Sequence, residues 1–213
     1  PIVKMPGDIE VCHDAGKINL TLFEDSKTSG GAWYCPKNPS FVEKESEFIT
    51  SLAGIPGKST SNEIYYKYVH PSTGCVRTDS FTIKVNPLPD VELRDGYFCQ
   101  DKETVNLKND KIIKLPGGGT LALGRQAWKC VDCGSYKESD IIEDINGGGS
   151  GATQDFVLHI DENAIPLGSF SSDTITIEFE FRNVFGCYNR DTADIAITKV
   201  PKIEFKGFSD LCW

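Results

Sequence analysis

Eight cysteines are the residues with the clearest capacity for chemistry in this chain of 213 residues. That number is high for a cytosolic protein and typical of an exported one, in which thiols are oxidised to disulfides. Cys130 and Cys133 form a CxxC pair, which we expect to close a small local ring. The alternative is structural zinc, but zinc sites need four clustered ligands, and the chain has no second CxxC and no histidine nearer than His159.

Motifs that indicate catalysis are absent from the sequence. Two of its three histidines, His13 and His70, lie in predicted loops, and His159 lies within a strand pattern. No GxSxG or HExxH motif is present, and the glycine runs at 117–119 and 147–149 lack the Lys-Ser/Thr of a phosphate-binding loop. We therefore expect no catalytic residues and no enzyme activity.

Carboxylates concentrate in one glycine-rich stretch of the second half. They are Asp140, Glu143, Asp144, Asp161 and Glu162. Calcium binds roughly six to eight oxygen ligands, so these residues are a candidate calcium site. Because no EF-hand spacing or calcium-binding nonapeptide is present, a solvated acidic face is the simpler interpretation. No other metal or cofactor is expected.

The charge of the chain excludes some classes of partner. Its 31 acidic and 22 basic residues give a net charge of −9, which repels phosphate backbones and anionic lipid. No apolar run approaches the roughly 20 residues that span a bilayer. We expect neither nucleic-acid binding nor membrane insertion. Because its one methionine is Met5, we also expect the chain to be an excised piece of a longer protein.

The cysteines recur because the chain repeats itself. A proline, a strand-like stretch and a cysteine follow one another at Pro1–Cys12, Pro89–Cys99 and Pro201–Cys212. The first two copies continue in step with a second strand, a Trp-x-Cys element and a Gly-Cys hairpin. This order predicts three domains: a repeat over 1–88, a larger repeat with a Gly-rich acidic insertion over 89–200, and the truncated start of a third over 201–213.

Within each repeat, the apolar residues follow the period of a strand with one buried face. Every second residue over 174–181 is apolar, and 63–68 and 80–85 show looser versions of the pattern. Short strands separated by turn residues, in units of about 100 residues, predict an all-β fold of tandem immunoglobulin-like antiparallel β-sandwich domains. Only 136–145 suggests a helical turn, with a loop as the alternative. Two prolines in 86–89 predict a short, stiff joint.

The recurring cysteines are the disulfide candidates. Pairing within repeats is favoured, since a bond that closes a long loop adds about 2–4 kcal/mol to the stability of a small sandwich. The favoured pairs are Cys12 with Cys75, Cys99 with Cys187, and the local pair Cys130 with Cys133, which leaves Cys35 unpaired. Pairing between adjacent repeats, Cys75 with Cys99 and Cys187 with Cys212, stays open because spacing does not determine connectivity.

Two tryptophans, Trp33 and Trp128, occupy the same place in the two repeats. The favoured interpretation is a core tryptophan packed between the sheets of each sandwich. The alternative is a sugar-stacking platform, but each tryptophan alternates with a cysteine and does not stand among other aromatic residues.

The order of these motifs resembles a family of bacterial surface proteins. The resemblance is carried by Cys12, Trp33, the Tyr66–Tyr68 strand, Gly74-Cys75 and the Asn86-Pro87-Leu88-Pro89 joint. Together they resemble the immunoglobulin-like repeats of giant Bacteroidetes cell-surface gliding-motility adhesins of the SprB type, which the type IX secretion system exports. The resemblance implies a secreted cell-surface filament on the outer-membrane exterior. It also implies neighbouring repeats and an external surface or polysaccharide as partners, and no catalytic residue.

The leading functional hypothesis is therefore a non-catalytic structural and adhesive segment of a large surface filament. The competing hypothesis is a carbohydrate- or ligand-binding module appended to a secreted enzyme, with the acidic glycine-rich loops of the second repeat as its site.

Overall fold

The computed structural model divides the chain into two units. Unit 1 comprises Pro1–Asp90 together with Phe181–Asn189, and unit 2 comprises Val91–Glu180 together with Arg190–Trp213. The residues that the structure describes are 5–25, 28–44, 46–107, 110, 112–114, 125–134, 136–137, 141–144, 156–161, 163–167 and 172–200. The predicted third repeat, 201–213, lies outside them.

Unit 1 contains two sheets built from seven strands. The strands are β1 (Ile9–Cys12), β2 (Lys17–Asn19), β3 (Ala32–Tyr34), β4 (Val42–Glu43), β5 (Glu47–Ile49), β6 (Thr60–Val69) and β7 (Val76–Asn86). One sheet has the order β1-β7-β6-β3 and the other β2-β5-β4. A single turn of helix, α1 (Thr50–Ala53), follows β5, and 3-10 turns lie at Leu20–Phe23 and Pro39–Phe41.

Alternation along the strands of unit 1 produces its core. In β6 the side chains of Ile64, Tyr66 and Tyr68 are buried and their neighbours point outward, and Phe81 and Ile83 do the same on β7. These side chains pack with residues of the second sheet and its flanking turns, including Leu20, Phe48 and Ala53. The two sheets thus share one apolar layer, as in a β-sandwich.

Unit 2 repeats this arrangement. Its strands are β8 (Glu92–Leu93), β9 (Gly96–Cys99), β10 (Thr104–Asn106), β11 (Ile113–Lys114), β12 (Arg125–Asp132), β13 (Ile142–Asp144), β14 (Phe156–His159), β15 (Ser172–Arg182) and β16 (Tyr188–Thr198). The ends of β15 and β16 that adjoin their shared turn, within Phe181–Asn189, belong to unit 1. A 3-10 turn lies at Gln100–Lys102. The sheets are β12-β15-β16-β9, β10-β14-β13 and the short pair β11-β8. On β15 every second residue from Ile175 to Phe181 is buried, as the period over 174–181 predicts.

The strand order is the same in both units. With the short pair β8 and β11 left out, each sandwich has seven described strands, so that β9 is the first of unit 2 and β15 and β16 are its sixth and seventh. Strands one, three, six and seven of each sandwich form the larger sheet, and strands two, four and five form the smaller one. This is an immunoglobulin-like order, so the predicted all-β sandwich class is confirmed. Each larger sheet also contains a parallel pair, β1 with β7 and β9 with β16, within a fold predicted to be antiparallel. The suggested helical turn over 136–145 is wrong for Ile142–Asp144, which form strand β13 against β14.

Candidate functional site: the Cys12–Cys187 disulfide of unit 1

Cys12 is the last residue of β1 and is held there by the parallel ladder to β7. The register places Cys12 opposite Asn86, the last residue of β7. The chain continues the pairing one step further, since the His13 N–H donates to the Asn86 carbonyl at 2.9 Å. Cys12 therefore lies at a defined end of the larger sheet of unit 1.

Asn86 anchors this end of the sheet. Its side chain is almost fully buried, accepts a hydrogen bond from Ser59 at 2.7 Å and donates one to Glu10 at 3.0 Å. Lys84 also donates to Glu10 at 3.1 Å. The Asn86 hydrogen bond, and secondarily Lys84, holds the pKa of the exposed Glu10 carboxyl below its ordinary value. The buried amide thus has partners for both ends, as a buried polar group requires.

The turn over 183–187, between β15 and β16, presents Cys187. Asn183 donates its backbone N–H to the Cys187 carbonyl at 2.9 Å, and Gly186 adopts φ +81°, a conformation that favours glycine. The Asn183 side-chain oxygen accepts the N–H groups of Phe185 and Cys187 at 3.0 and 3.1 Å. Asparagine side chains often stabilise turns by accepting hydrogen bonds from nearby backbone N–H groups, and here these bonds fix the position of Cys187.

A disulfide joins Cys12 to Cys187 across a sequence separation of 175, with their Cα atoms 5.5 Å apart. Cys12 comes from the first sequence repeat and Cys187 from the second, and both lie in unit 1. Hydrogen bonds join the same two segments as the disulfide: the Asn183 side chain donates to the Pro87 carbonyl at 3.0 Å, and the Asn189 side chain donates to the Pro89 carbonyl at 3.1 Å. The ammonium of Lys84 also lies 5.2 Å from the centre of the Phe185 ring. The turn that carries Cys187 is thus held by polar and aromatic contacts as well as by the disulfide.

The predicted long-range pairs are corrected by this bond. Cys12 is not joined to Cys75, and Cys187 is not joined to Cys99; Cys75 and Cys99 are both free and exposed, so they do not pair with each other either. The reason is geometric, because the turn that carries Cys187 lies at the end of β1 within unit 1. The alternative Cys187–Cys212 bond is likewise excluded, because Cys187 is bonded to Cys12; Cys212 itself lies outside the described residues.

The two remaining predictions about cysteines agree with the structure. Cys130 bonds to Cys133 three residues further on, at the end of β12. Cys35 is free and buried. The CxxC pair therefore has the structural role expected of a local ring.

Trp33 and Trp128 lie in the cores of their units, with 3% and 8% of their surface exposed. Trp33 lies 4.5 Å from Tyr66, and Trp128 lies 4.6 Å from Phe179, measured between ring centres. The Trp33 indole N–H donates to Glu24 at 2.8 Å. Rings buried to this degree present no open face on which a sugar could stack.

Two of the predicted acidic residues, Glu143 and Asp161, already have protein partners. Glu143 lies 2.8 Å from the Nε2 of His159 on the neighbouring strand. The Asp161 carboxylate accepts backbone N–H groups of Asn163 and Ala164 at 2.7 and 3.1 Å, and these bonds, Asn163 first, lower its pKa. Among the described residues no group of three or more His, Cys, Asp or Glu side chains could hold a metal ion. Asp140 and Glu162 lie outside these residues, and the side chain of Asp144 is not among those described, so the full predicted set stays a prediction.

Sequence reasoning missed Asn183, Asn189 and Asn86, which position the disulfide. A signal for the first existed, because Asn183 precedes Gly186-Cys187 at the spacing of a short hairpin turn. No comparable signal marks Asn86 or Asn189, whose roles depend on contacts distant in sequence.

Comparisons with known proteins give structural likeness only. No protein-family model and no curated protein matches the chain, and no helix among its described residues is long and apolar enough to cross a membrane. Human protocadherin-24 EC1-2 is 8% identical with a TM-score of 0.35, covering 94% of this chain and 99% of that one. The insect immune protein hemolin is 9% identical with a TM-score of 0.38, covering 92% of this chain and 46% of hemolin.

A third similar structure is Drosophila N-cadherin EC1-3, at 10% identity and a TM-score of 0.36, covering 93% of this chain and 66% of that one. All three scores are below 0.5, and likenesses at this level carry no argument about function. The assignment of an immunoglobulin-like fold therefore rests on the strand order of the two units.

Proposed function

We propose that the chain is a non-catalytic, load-bearing segment of a large bacterial cell-surface filament. The observation that supports this most directly is the Cys12–Cys187 bond. When force is applied through the two chain ends, tension passes from residue 12 through the disulfide to residue 187. Residues 13–186 then lie outside the load path, and only 39 of the 213 residues can lengthen.

A bond of this kind suits a protein that transmits force. While the disulfide is intact, stretching cannot extract the strands that lie inside the covalent loop, which are β2 to β15; of the described strands, only β1 and β16 lie outside it. Enzymes and soluble binding modules gain stability from disulfides too, but they do not need so much of the chain to be inextensible.

The finer form of the proposal is a gliding-motility adhesin of the SprB type, secreted by the type IX system to the outer-membrane exterior of a Bacteroidetes cell. Its partners would be neighbouring repeats and an external surface or polysaccharide. The motif order from Cys12 to the Asn86–Pro89 joint supports this form.

Single-molecule stretching of the full chain from its two ends tests the load-bearing role. The oxidised chain should lengthen by no more than about 140 Å, and the reduced chain by about 750 Å, at roughly 3.5 Å per extended residue. A Cys130→Ser/Cys133→Ser chain is the matched control and should behave like the unsubstituted chain, since its ring holds only four residues. Equal extension of the oxidised and reduced chains would contradict the proposal.

A glycan array separates this function from a carbohydrate-binding module of a secreted enzyme. The buried Trp33 and Trp128 disfavour that alternative. Specific glycan binding by the full chain, abolished by Glu143→Gln or Asp161→Asn, would support it over the load-bearing role.

A further inference from the structure

The Cys12–Cys187 bond consists of two half-sites that recur elsewhere in the chain. The first, the strand-end half-site, is a cysteine that ends the first strand of a sandwich, opposite the last paired residue of the seventh strand; here it is Cys12 opposite Asn86. The second, the hairpin half-site, is a cysteine that follows a left-handed glycine between strands six and seven; here it is Cys187 after Gly186.

Unit 2 contains a second strand-end half-site at Cys99. Cys99 ends β9, which runs parallel to β16, and the register places it opposite Thr198 as Cys12 is placed opposite Asn86. The Thr198 hydroxyl lies 3.7 Å from the Cys99 sulfur. Unlike Cys12, Cys99 is a free thiol and is exposed.

Unit 1 contains a second hairpin half-site at Cys75. Cys75 lies between β6 and β7 and follows Gly74, which has φ +65°. The His70 N–H donates to the Cys75 carbonyl at 2.9 Å, as the Asn183 N–H does to the Cys187 carbonyl at the same distance. Cys75 is also free and exposed, whereas the bonded Cys187 is 1% exposed.

Among its described residues, the chain thus contains one disulfide that joins the two kinds of half-site, together with one further half-site of each kind whose cysteine is free. We propose that Cys99 and Cys75 are complementary linkage sites, Cys99 receiving the hairpin cysteine of another sandwich of this type and Cys75 the strand-end cysteine of another. For this chain the partner that fits is a second copy, with Cys99 of one copy bonded to Cys75 of the next. This inference rests on the proposed role as a repeat segment and names the partner of its repeats.

Two features favour pairing of a strand-end cysteine with a hairpin cysteine over random oxidation of surface thiols. The completed bond joins a strand-end cysteine of one sequence repeat to a hairpin cysteine of the following repeat, so this pairing has an instance in the same molecule. The free thiols also keep the main backbone features of their bonded counterparts: Cys99 has the same parallel register, and Cys75 has the same closing hydrogen bond, in a turn that is one residue longer.

The linkage step is a two-electron oxidation by thiol–disulfide exchange. The Cys99 thiolate attacks a small disulfide such as oxidised glutathione and releases one reduced thiol. The Cys75 thiolate then attacks the Cys99 mixed disulfide and releases the second. One S–S bond is formed and one is reduced, and the two protons of the protein thiols pass to the two released thiols.

Non-reducing peptide mapping after oxidation in a glutathione buffer tests the proposal. The full chain is used with Cys212→Ser, which leaves Cys75 and Cys99 as its exposed described thiols. We expect intermolecular Cys75–Cys99 peptides to exceed the Cys75–Cys75 and Cys99–Cys99 peptides by about tenfold, a preference of about 1.4 kcal/mol. Chains with Cys75→Ser or Cys99→Ser should not polymerise, and a mixture of the two should stop at dimers.

A relocated thiol provides the matched control. In a Cys99→Ser/Tyr97→Cys chain an exposed thiol remains on β9, two residues from its natural position. This chain should lose the preference for Cys75. Four results would each overturn the proposal. Positions 97 and 99 could bond to Cys75 in equal amounts, the bonds could be distributed at random, no Cys75–Cys99 bond could form, or that bond could form within one copy. The stretching experiment depends on the Cys12–Cys187 bond alone, so the two proposals fail separately.

Discussion

The core tryptophans of the two units show how one residue changes the chemistry of a shared packing arrangement. Tyr66 meets Trp33 at an interplanar angle of 41°, and Phe179 meets Trp128 at 44°. Tyr66 adds a hydroxyl that donates to the Thr28 carbonyl at 2.6 Å and accepts the Gly31 N–H at 2.7 Å. Burial of the two tryptophans followed from the sequence, since both occupy the same place in the two repeats and each alternates with a cysteine. The role of this hydroxyl did not, because its partners lie 35 and 38 residues away in the chain.

Replacing Tyr66 by phenylalanine should lower the free energy of unfolding by about 1–3 kcal/mol, because two buried backbone groups lose their partner. Urea unfolding followed by tryptophan fluorescence measures the change. Tyr97→Phe is the control, since Tyr97 is 82% exposed and its substitution should change stability by less than about 0.5 kcal/mol. Equal losses in the two variants would show that the buried hydrogen bonds contribute nothing.

The same substitution should alter the response to alkaline pH. Burial, the largest cause, raises the pKa of Tyr66 above its usual value, and the hydrogen bond from Gly31 offsets this in part. The folded state therefore holds the Tyr66 proton more tightly than the unfolded chain does. The resulting stabilisation is complete below pH about 10 and is lost as the pH rises through the folded-state pKa. The unsubstituted chain should thus lose stability more steeply above pH about 10 than Tyr66→Phe does, and parallel profiles would argue against this account.

At the scale of elements, the strands were predictable, whereas their partners distant in sequence were not. The period of two in β6, β7 and β15 reports directly which face is buried, so these strands follow from sequence alone. The parallel pairing of β1 with β7 leaves no local signal, because its partner lies more than 70 residues away. The role of the β15–β16 turn also depends on a distant segment, the carbonyls of Pro87 and Pro89.

Asn183→Ala should make the Cys12–Cys187 bond easier to reduce. The substitution removes the hydrogen bonds to Phe185 and Cys187 that shape the turn and the one to Pro87. A net loss of about 1.4 kcal/mol corresponds to a reduction potential raised by about 30 mV. Equilibration in glutathione buffers, read by the fraction of oxidised Cys187 peptide, measures the shift.

Asn38→Ala is the control for that experiment, because Asn38 bonds only locally to Ser40 among its described side-chain contacts. Its disulfide should keep the potential of the unsubstituted chain. If Asn183→Ala also leaves the potential unchanged, the turn is held by the disulfide and does not help to hold it.

At the scale of the whole molecule, disulfide connectivity could not be obtained from spacing. The entropy of loop closure grows only with the logarithm of loop length. The predicted Cys12–Cys75 loop and the observed Cys12–Cys187 loop therefore differ by only about 1 kcal/mol on this criterion. That difference is small beside the geometric requirement that the two cysteines meet, which the fold alone decides.

Cys12→Ser should therefore destabilise unit 1 by about 5 kcal/mol in the chain-entropy model, because the disulfide closes a loop with a sequence separation of 175. Cys187→Ser should lower the free energy of unfolding by the same amount. The double variant should lower it no further than either single variant does, since all three remove the same disulfide. Cys130→Ser is the contrast: its ring has a separation of three, and the chain-entropy model gives a loss of about 1.6 kcal/mol. Urea unfolding of the oxidised variants, compared with the reduced unsubstituted chain, provides the measurement. Additive losses from Cys12→Ser and Cys187→Ser would mean that each cysteine stabilises its own surroundings, and that the long covalent loop on which the load-bearing role depends is not closed in solution.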